Sequence, residues 1–223
     1  MILENKKLII FDLDGTLIDS GPDLALSLNL MLKKMAKDTF DESTIHEWVG
    51  NGALTLVKRA LSGSVEVSES LDEKVVQEAL EIFLQLYKEN VCVKTKLYPN
   101  VKNTLRKLFN DGYTLAIVTN KPYGFVPQIL ETLEVDEYFK LILGGDSLKD
   151  KKPSPIPLLH VCQELGFKVD ETIMVGDSKN DILAAKAANM QSIAVTYGYN
   201  YGEDVSKYAP NAVVEKFEKI VSV

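Results

Sequence analysis

The sequence predicts an α/β fold: a doubly wound, mostly parallel sheet core of Rossmann-like type, with an α-helical cap domain inserted after its first strand. The first observation is the apolar run at residues 8–11, which is typical of a short strand buried on both faces. The second is the stretch 19–92, where apolar residues recur at helical spacing. The third is an alternation of strands and helices after that stretch. We therefore expect a core of residues 1–18 and 93–223 and a helical cap of residues 19–92.

In the predicted core, the strands at residues 115–118, 141–143 and 172–175 each end in a glycine or polar string that is followed by a helix. Because parallel strands need crossover connections, this alternation indicates βαβ units. Within the insert, apolar spacing and glycine or proline breaks predict about four helices. The four later core strands are expected at residues 115–118, 141–143, 172–175 and 192–195.

The composition is that of an ordinary globular protein with an acidic balance. The chain has 223 residues, 46% hydrophobic and 26% charged, with a net charge of −7 and a pI of about 5.0. This balance argues against a nucleic-acid partner, which would require a basic patch. No apolar stretch has the length of a membrane span, and the N-terminus lacks the layout of a signal peptide. Cys92 and Cys162 form no CxxC pair and are expected to be reduced thiols, which favours a cytoplasmic protein. The sequence does not indicate the oligomeric state.

Two carboxylates follow the first strand directly. Asp12 and Asp14 stand at its carboxyl end, where open α/β sheets bind ligands. Residues two apart in an extended chain point the same way, so both carboxylates can face one spot. Like charges this close repel each other unless they share a proton or a cation, which indicates a hard divalent metal and favours Mg²⁺.

The string from Asp12 to Thr16 resembles the signature of the haloacid dehalogenase superfamily of phosphohydrolases. The resemblance implies that Asp12 is the nucleophile that takes the phosphoryl group and that Asp14 is the general acid and base. The residue types suit these roles, because one carboxylate can form an aspartyl-phosphate while a protonated carboxyl donates to the leaving alcohol. The helical insert is similar to the cap that one branch of the superfamily carries at this position.

Two further polar strings match the same superfamily. Thr119 follows a predicted strand at once, and its hydroxyl with the next main-chain N–H, that of Asn120, is expected to hold a phosphate oxygen. Lys152, rather than the adjacent Lys151, directly precedes a proline, as the superfamily's lysine does. Its ammonium group would offset the repulsion between Asp12 and the phosphate.

A second acidic pair follows the strand expected at residues 172–175. Asp177 comes directly after that strand, and Asp181 lies four residues later on the same face of the next helix. Helix capping is the alternative interpretation for both. The partner string at Asp12 favours metal binding for Asp177, whereas Asp181 is open to metal binding or to orienting Lys152 or a metal-bound water. The expected Mg²⁺ ligands are the Asp12 and Asp177 carboxylates, the Asp14 main-chain carbonyl, a phosphate oxygen and waters, with Asp181 as a further candidate.

Five longer strings lie at residues 14–20, 48–52, 119–122, 152–153 and 197–202. They narrow the resemblance to one family of the superfamily, the bacterial phosphoglycolate phosphatases. The resemblance implies hydrolysis of 2-phosphoglycolate to glycolate and phosphate. Two departures are Asn189, where that family more often has glycine, and Ser154, often histidine in relatives, which bears on substrate identity. The tyrosines within residues 197–202 have two possible roles, ordering the site or forming an interface.

Substrate selection is expected in the cap. Gly50, Asn51 and Gly52 precede a predicted helix, so main-chain N–H groups and the positive end of the helix dipole can receive a small carboxylate there. An ordinary glycine helix break is the alternative. Arg59 in the same helix is a second candidate, with a surface salt bridge as its other role, and Lys121 is a third.

The same residues leave other activities open. A phosphosugar mutase would reuse the aspartyl-phosphate without water, and a broad-specificity phosphatase would act on many small metabolites. A regulatory binding protein that kept the fold is disfavoured, because every residue assigned to the chemistry is present. The expected partner is a small anionic phosphomonoester, with no nucleic acid and no membrane.

Overall fold

A computed structural model describes residues 2–223, which form eight strands and eight α-helices joined by loops and short 3₁₀ turns. Within this range, no helix has both the length and the apolar character that crossing a membrane requires. The strands are β1 (Leu8–Phe11), β2 (Ile18–Asp19), β3 (Lys96–Leu97), β4 (Thr114–Val118), β5 (Phe139–Leu143), β6 (Thr172–Gly176), β7 (Gln191–Val195) and β8 (Ala212–Val214). The helices are α1 (Gly21–Lys34), α2 (Glu42–His46), α3 (Ala53–Ser62), α4 (Glu73–Asn90), α5 (Val101–Asn110), α6 (Val126–Thr132), α7 (Ile156–Leu165) and α8 (Lys179–Ala187).

Six strands form one parallel sheet in the order β5-β4-β1-β6-β7-β8. The chain starts at the central strand β1, adds β4 and β5 on one side, and then adds β6, β7 and β8 on the other. Leu8 therefore lies opposite Thr114 on one side and Thr172 on the other. The strand order reverses at β1, and ligands of open α/β sheets bind at the carboxyl ends of the strands at such a point.

Helices cover both faces of this sheet, which explains why β1 is apolar throughout. Leu8 and Ile10 pack in one cluster with residues of α7 and α8, whereas Ile9 and Phe11 belong to a cluster on the opposite face. All four side chains are fully buried. The predicted doubly wound α/β core is confirmed.

Two features of the sheet were missed in the sequence. Strand β8 extends the sheet at the edge beyond β7, and only Val214 of its three residues is buried. A second, two-stranded antiparallel ribbon pairs β2 with β3, with Ile18 opposite Leu97. These three strands are too short to show the alternation that identifies a strand.

The insert between β2 and β3 is helical, as expected, and contains α1 to α4. Helix α1 packs against α2 and α4, and α3 packs against α4. Leu28, Trp48 and Phe83 are buried in this bundle and belong to the same apolar cluster as Ile9 and Phe11 of the sheet. The cap and one face of the core therefore share a continuous hydrophobic interior.

The chain enters and leaves the insert at neighbouring points. The β2–β3 ribbon joins the two crossings, and Asp23 in the first turn of α1 binds the returning segment. Its buried carboxylate accepts hydrogen bonds from the main-chain N–H groups of Val93, Lys94 and Thr95 and from the Thr95 hydroxyl, at 2.7–3.0 Å. The domain boundaries at residues 18/19 and 92/93 stay a prediction.

Candidate active site

Asp12 lies at the carboxyl end of β1, between the ends of β4 and β6. Its main-chain N–H donates to the Val175 carbonyl, which extends the β1–β6 pairing by one residue. One oxygen of its carboxylate, Oδ1, accepts from the Leu13 N–H at 2.7 Å. The side chain is held in place where the sheet opens into the cavity described below.

Lys152 is the cation that contacts Asp12. Its Nζ lies 2.9 Å from Asp12 Oδ1 and 2.6 Å from Asp181 Oδ1, and its side chain is only 1% exposed. Burial alone would lower the pKa of Lys152, but Asp12 and Asp181 outweigh burial and raise it. Lys151 is exposed, and its Nζ donates to the Asn51 carbonyl at 2.7 Å. The structure thus brings Lys152 to the site and directs its neighbour to the cap.

Asp177 and Asp181 lie at the turn between β6 and α8. Asp181 closes a capping box, since its Oδ2 accepts from the N–H and the hydroxyl of Ser178 at 3.0 and 2.8 Å. Its other oxygen binds Lys152, so the capping and the lysine-orienting geometries occur together. Asp177 does not cap α8; its carboxylate accepts from the Thr16 hydroxyl and the Tyr199 N–H, both at 2.8 Å.

Three buried carboxylates form a group that can hold a metal ion. Asp12, Asp177 and Asp181 each offer one oxygen, and these oxygens all lie within 4.8 Å of one another. The surrounding main chain is shaped to this group: a Cβ added at Gly15 or at Gly198 would lie 2.3 or 2.2 Å from an Asp177 atom. A set of carboxylate oxygens suits a hard divalent cation. The residues therefore fit the expected metal, and the Asp14 carbonyl as a ligand stays a prediction.

The pKa values reflect burial of these like charges. Burial raises the pKa of Asp177 to about 7, and the neighbouring Asp181 carboxylate adds to the shift. Burial also raises the pKa of Asp12 well above its usual range, in spite of the opposing effect of Lys152. Both shifts disfavour the ionised carboxylates in the metal-free protein, and a bound cation acts in the opposite direction.

Asp14 points to a different cation from Asp12. Its Oδ1 accepts from Lys121 Nζ at 2.8 Å and from the Ser20 hydroxyl. Lys121 is buried, and its main-chain N–H donates to the Thr119 hydroxyl oxygen at 3.1 Å. The loop after β4 therefore supplies both the hydroxyl expected to bind phosphate and the partner of Asp14.

Asn120 joins three parts of the site. Its side-chain amide donates to the Lys152 carbonyl at 3.0 Å and to the Gly50 carbonyl in the cap at 3.1 Å. The amide thus holds the cap loop next to the strand ends. Phosphate binding by Thr119 and Asn120 stays a prediction.

A cavity of about 40 Å³ lies between these strand ends and the cap. Its core side includes Asp12, Asp14 and Thr119, and its cap side is mainly hydrocarbon. A space of this size exceeds what one water requires, yet admits only a small leaving group. The remaining lining residues are Leu24, Val49, Gly50, Gly52, Ala53, Leu56, Phe83, Tyr87, Asn120, Lys121, Pro122 and Phe125.

The arrangement at these strand ends agrees with the comparisons to known proteins. A family model described as haloacid dehalogenase-like hydrolase matches residues 9–195. The chain belongs to the haloacid dehalogenase-like hydrolases. The predicted resemblance is confirmed, and the match spans all the strand ends that carry the site.

Relatives of this hydrolase match over its whole length. It is 50% identical to a phosphoglycolate phosphatase of Colwellia psychrerythraea over 99% of this chain and 98% of that protein. It is 47% identical to one of Psychrobacter arcticus, over 97% and 95% of the two chains. A crystal structure described as a predicted phosphoglycolate phosphatase from Haemophilus somnus superposes with a TM-score of 0.92 at 41% identity, covering 98% of this chain and 97% of that one.

The cap loop of this hydrolase contacts the core through its backbone. Gly50 and Gly52 have φ values of 122° and 86°, which glycine adopts without strain. A Cβ at Gly52 would lie 2.8 Å from the Asn120 carbonyl oxygen, so the small residue is required by the core itself. The Asn51 carbonyl accepts from Lys151. That this loop also receives a substrate carboxylate stays a prediction.

Arg59 differs from its expected surface salt bridge. It is only 9% exposed, and its guanidinium donates to the carbonyls of Trp48 and Val65 at 2.7 and 2.8 Å. It also lies 5.0 Å from the centroid of the Tyr201 ring. Arg59 does not line the cavity, because its donors satisfy carbonyl groups of the cap.

The tyrosine loop after β7 contacts residues that adjoin the site, and its role in ordering the site or forming an interface stays a prediction. The Tyr197 hydroxyl donates to the Thr16 carbonyl at 2.8 Å, and the Tyr199 hydroxyl donates to Asp19 at 2.9 Å. The Tyr201 hydroxyl accepts from the Asn180 amide at 2.8 Å. The repeat of tyrosine at every second position marked this loop, but nothing in the sequence identified its partners.

Proposed function

We propose that this hydrolase is a Mg²⁺-dependent phosphomonoesterase that converts 2-phosphoglycolate to glycolate and phosphate through an aspartyl-phosphate on Asp12. The observation that carries the proposal is the contact of Asp12 with the buried ammonium of Lys152, beside a cavity that also contains Asp14 and Thr119. The substrate is supported by full-length similarity to proteins named phosphoglycolate phosphatase at 50% and 47% identity.

In the first step, Asp12 attacks the phosphorus atom of the ester. A bond forms between one Asp12 carboxylate oxygen and phosphorus while the bond from phosphorus to the glycolate oxygen breaks. Asp14 gives its proton to that leaving oxygen, so glycolate departs as an alcohol. Lys152 offsets the charge that gathers on Asp12 and the phosphoryl oxygens.

In the second step, water hydrolyses the aspartyl-phosphate. Asp14, now ionised, takes a proton from the water. At the same time the water oxygen bonds to phosphorus, and the bond from phosphorus to Asp12 breaks. Phosphate leaves, and Asp12 and Asp14 return to their initial states. Thr119 and the N–H of Asn120 hold a phosphate oxygen during both steps.

The acidic group at the strand ends is assigned to Mg²⁺. The Asp12, Asp177 and Asp181 carboxylates and the Asp14 carbonyl would hold the ion, since Mg²⁺ prefers oxygen ligands and keeps some waters. When bound, it would supply positive charge against the phosphoryl oxygens. Cys92 and Cys162, both free thiols, are consistent with a cytoplasmic location.

A phosphate-release assay tests the proposal. Purified protein should release phosphate from 2-phosphoglycolate with a higher kcat/KM than from other small phosphomonoesters, and EDTA should abolish the release. Asp12→Asn should lower kcat by at least about 10³-fold, because the amide keeps the shape and removes the nucleophile. A thermal melt of the variant confirms that it is folded.

Three outcomes would contradict the proposal. Release by Asp12→Asn near the wild-type rate would remove Asp12 from the chemistry. Interconversion of phosphosugar isomers without free phosphate would indicate a mutase instead. Equal kcat/KM values across the substrate panel would indicate a broad-specificity phosphatase.

A further inference from the structure

Tyr87 of helix α4 carries a buried hydroxyl group whose proton has no acceptor among the described residues, since the Lys121 ammonium beside it is itself a donor. The side chain is 1% exposed and lines the cavity together with Asp14, Thr119 and Lys121. Burial raises the pKa of this hydroxyl to about 12, so it keeps its proton and remains a donor. A buried donor without an acceptor is rare and costs stability, which points to a ligand that supplies the missing acceptor.

Tyr87 is also the one polar side chain that the cap contributes to the described cavity lining. The other cap residues there are glycine or hydrocarbon, including Leu24, Leu56 and Phe83. A leaving group with a polar or charged function would therefore meet a single donor on the cap side.

The core places a cation beside this hydroxyl. Lys121 Nζ lies 4.8 Å from the centroid of the Tyr87 ring and 2.8 Å from Asp14 Oδ1. The phenol of the cap and the ammonium of the core thus converge next to Asp14. Together they offer a hydrogen-bond donor and a positive charge, the two features that recognise a carboxylate.

The chemistry of the substrate places its carboxylate at this point. Asp14 must reach the ester oxygen of the leaving group in order to protonate it. In phosphoglycolate the carboxylate carbon is two bonds from that oxygen. When the phosphoryl group occupies the phosphate site, the carboxylate of the leaving group therefore comes within reach of the groups adjacent to Asp14. These groups are Lys121 and Tyr87.

We propose that Tyr87 and Lys121 form the site that recognises the carboxylate of the leaving group and so determine the specificity for 2-phosphoglycolate. The inference rests on the proposed function. It places the carboxylate against Tyr87 of α4 instead of against the cap loop at Gly50–Gly52. The carbonyls of that loop are already bound by Asn120 and Lys151, and Gly52 faces the core backbone.

A purely structural role for Tyr87 makes a different prediction. The ring lies parallel to Phe83 at 5.9 Å and edge-on to Phe125 at 4.9 Å, so it contributes packing. Tyr87→Phe preserves the ring and removes only the hydroxyl. If packing were its whole role, the variant would keep the substrate selectivity of the wild type.

The test compares 2-phosphoglycolate with ethyl phosphate, whose leaving group has the same two-carbon length and no carboxylate. In Tyr87→Phe, the ratio of kcat/KM for phosphoglycolate to that for ethyl phosphate should fall about tenfold or more, the value expected for a lost hydrogen bond to a charged group. The Tm should stay the same or rise, because the variant removes an unpaired buried hydroxyl. Lys121→Gln should lower the same ratio.

Tyr113→Phe is the matched control. Its hydroxyl donates to the Leu3 carbonyl, away from the cavity, and the variant should leave the ratio unchanged. A ratio within about threefold of the wild type in folded Tyr87→Phe would overturn the inference. A wild type that shows no preference for phosphoglycolate over ethyl phosphate would instead overturn the proposed function, so the two failures are distinguishable.

Discussion

At the scale of single residues, Lys152 shows how this site tolerates buried charge. An ammonium group taken out of water is costly unless carboxylates lie beside it, and Lys152 has two within hydrogen-bond distance, Asp12 and Asp181. Its neighbour Lys151 has the same side chain but binds a carbonyl at an exposed position. The two lysines therefore form a natural pair for comparison.

Lys152→Met should lower kcat/KM by about 10³-fold or more, because it removes the charge that offsets the repulsion between Asp12 and phosphate. Lys151→Met should lower kcat/KM less than about fivefold, the effect of one exposed hydrogen bond. Steady-state kinetics on 2-phosphoglycolate measure both. Similar losses in the two variants, with both folded, would remove Lys152 from the chemistry.

The positions of individual residues could be predicted from the sequence to different degrees. Asp12 and Asp14 were predictable as a pair at one site because their position depends on a local event, the end of an apolar strand. Tyr87 was not, since its helical spacing is explained equally well by packing and its unpaired hydroxyl is visible only in three dimensions. The surface salt bridge considered for Arg59 does not form, because its partners are main-chain carbonyls, which no side-chain pattern reveals.

At the scale of secondary-structure elements, Asp23 connects helix α1 to the segment that leaves the cap. Four donors from residues 93–95 converge on one buried carboxylate, which has no cationic contact among the described residues. An acidic residue in the first turn of a helix is common, so this role of Asp23 could not be predicted from its position in the chain. The Asp23 carboxylate therefore joins the start of the cap insert to the segment that follows its end.

Asp23→Asn should lower the free energy of unfolding by about 3 kcal/mol, because an amide offers one acceptor oxygen and turns a donor toward the N–H groups. Asp72→Asn is the matched control, since Asp72 caps α4 by accepting from the Lys74 N–H and asparagine caps equally well. Urea denaturation measures both variants. Equal stability of the two would show that the contacts of Asp23 contribute little.

The elements themselves were predictable to different degrees. The central strands and the cap helices are long enough for their apolar spacing to be informative, and they occur where it placed them. Strand β8 and the β2–β3 ribbon were missed because two or three residues carry no period, and their pairing depends on partners far away in the chain.

At the scale of the whole molecule, the site concentrates negative charge at one end of the sheet. Four carboxylates meet two ammonium groups there, and Asp177 is the carboxylate whose described partners are neutral donors. This excess of negative charge is what a divalent cation would compensate. The groups are Asp12, Asp14, Asp177 and Asp181 with Lys121 and Lys152.

Stability should depend on pH in opposite ways with and without Mg²⁺. In the metal-free protein, burial raises the pKa of Asp177 from 3.8 to about 7, so its contribution to stability is complete below about pH 4 and is lost as pH rises through about 7. Mg²⁺ binds the ionised form and releases protons. The difference in Tm between saturating Mg²⁺ and EDTA should therefore increase from about pH 5.5 to about pH 8.

Differential scanning fluorimetry at the two pH values measures this difference. Asp177→Asn, which removes the titrating group, should flatten the dependence on pH. A difference in Tm that is the same at both pH values in the wild type would contradict the assignment of Asp177 to the metal.

The central position of β1 has a consequence for the way in which the chain folds. β1 leaves the ribosome well before its pairing partners, which begin at Thr114 and Thr172. Pairing across such long separations is slow, because the entropy of loop closure is lost before the contacts form. The helices of the insert depend on nearer contacts, so we expect the cap to fold while β1 is still an unpaired apolar segment. Asp12 and Asp14 would then reach their final positions only when β6 has been synthesised, and the site would be completed near the end of folding.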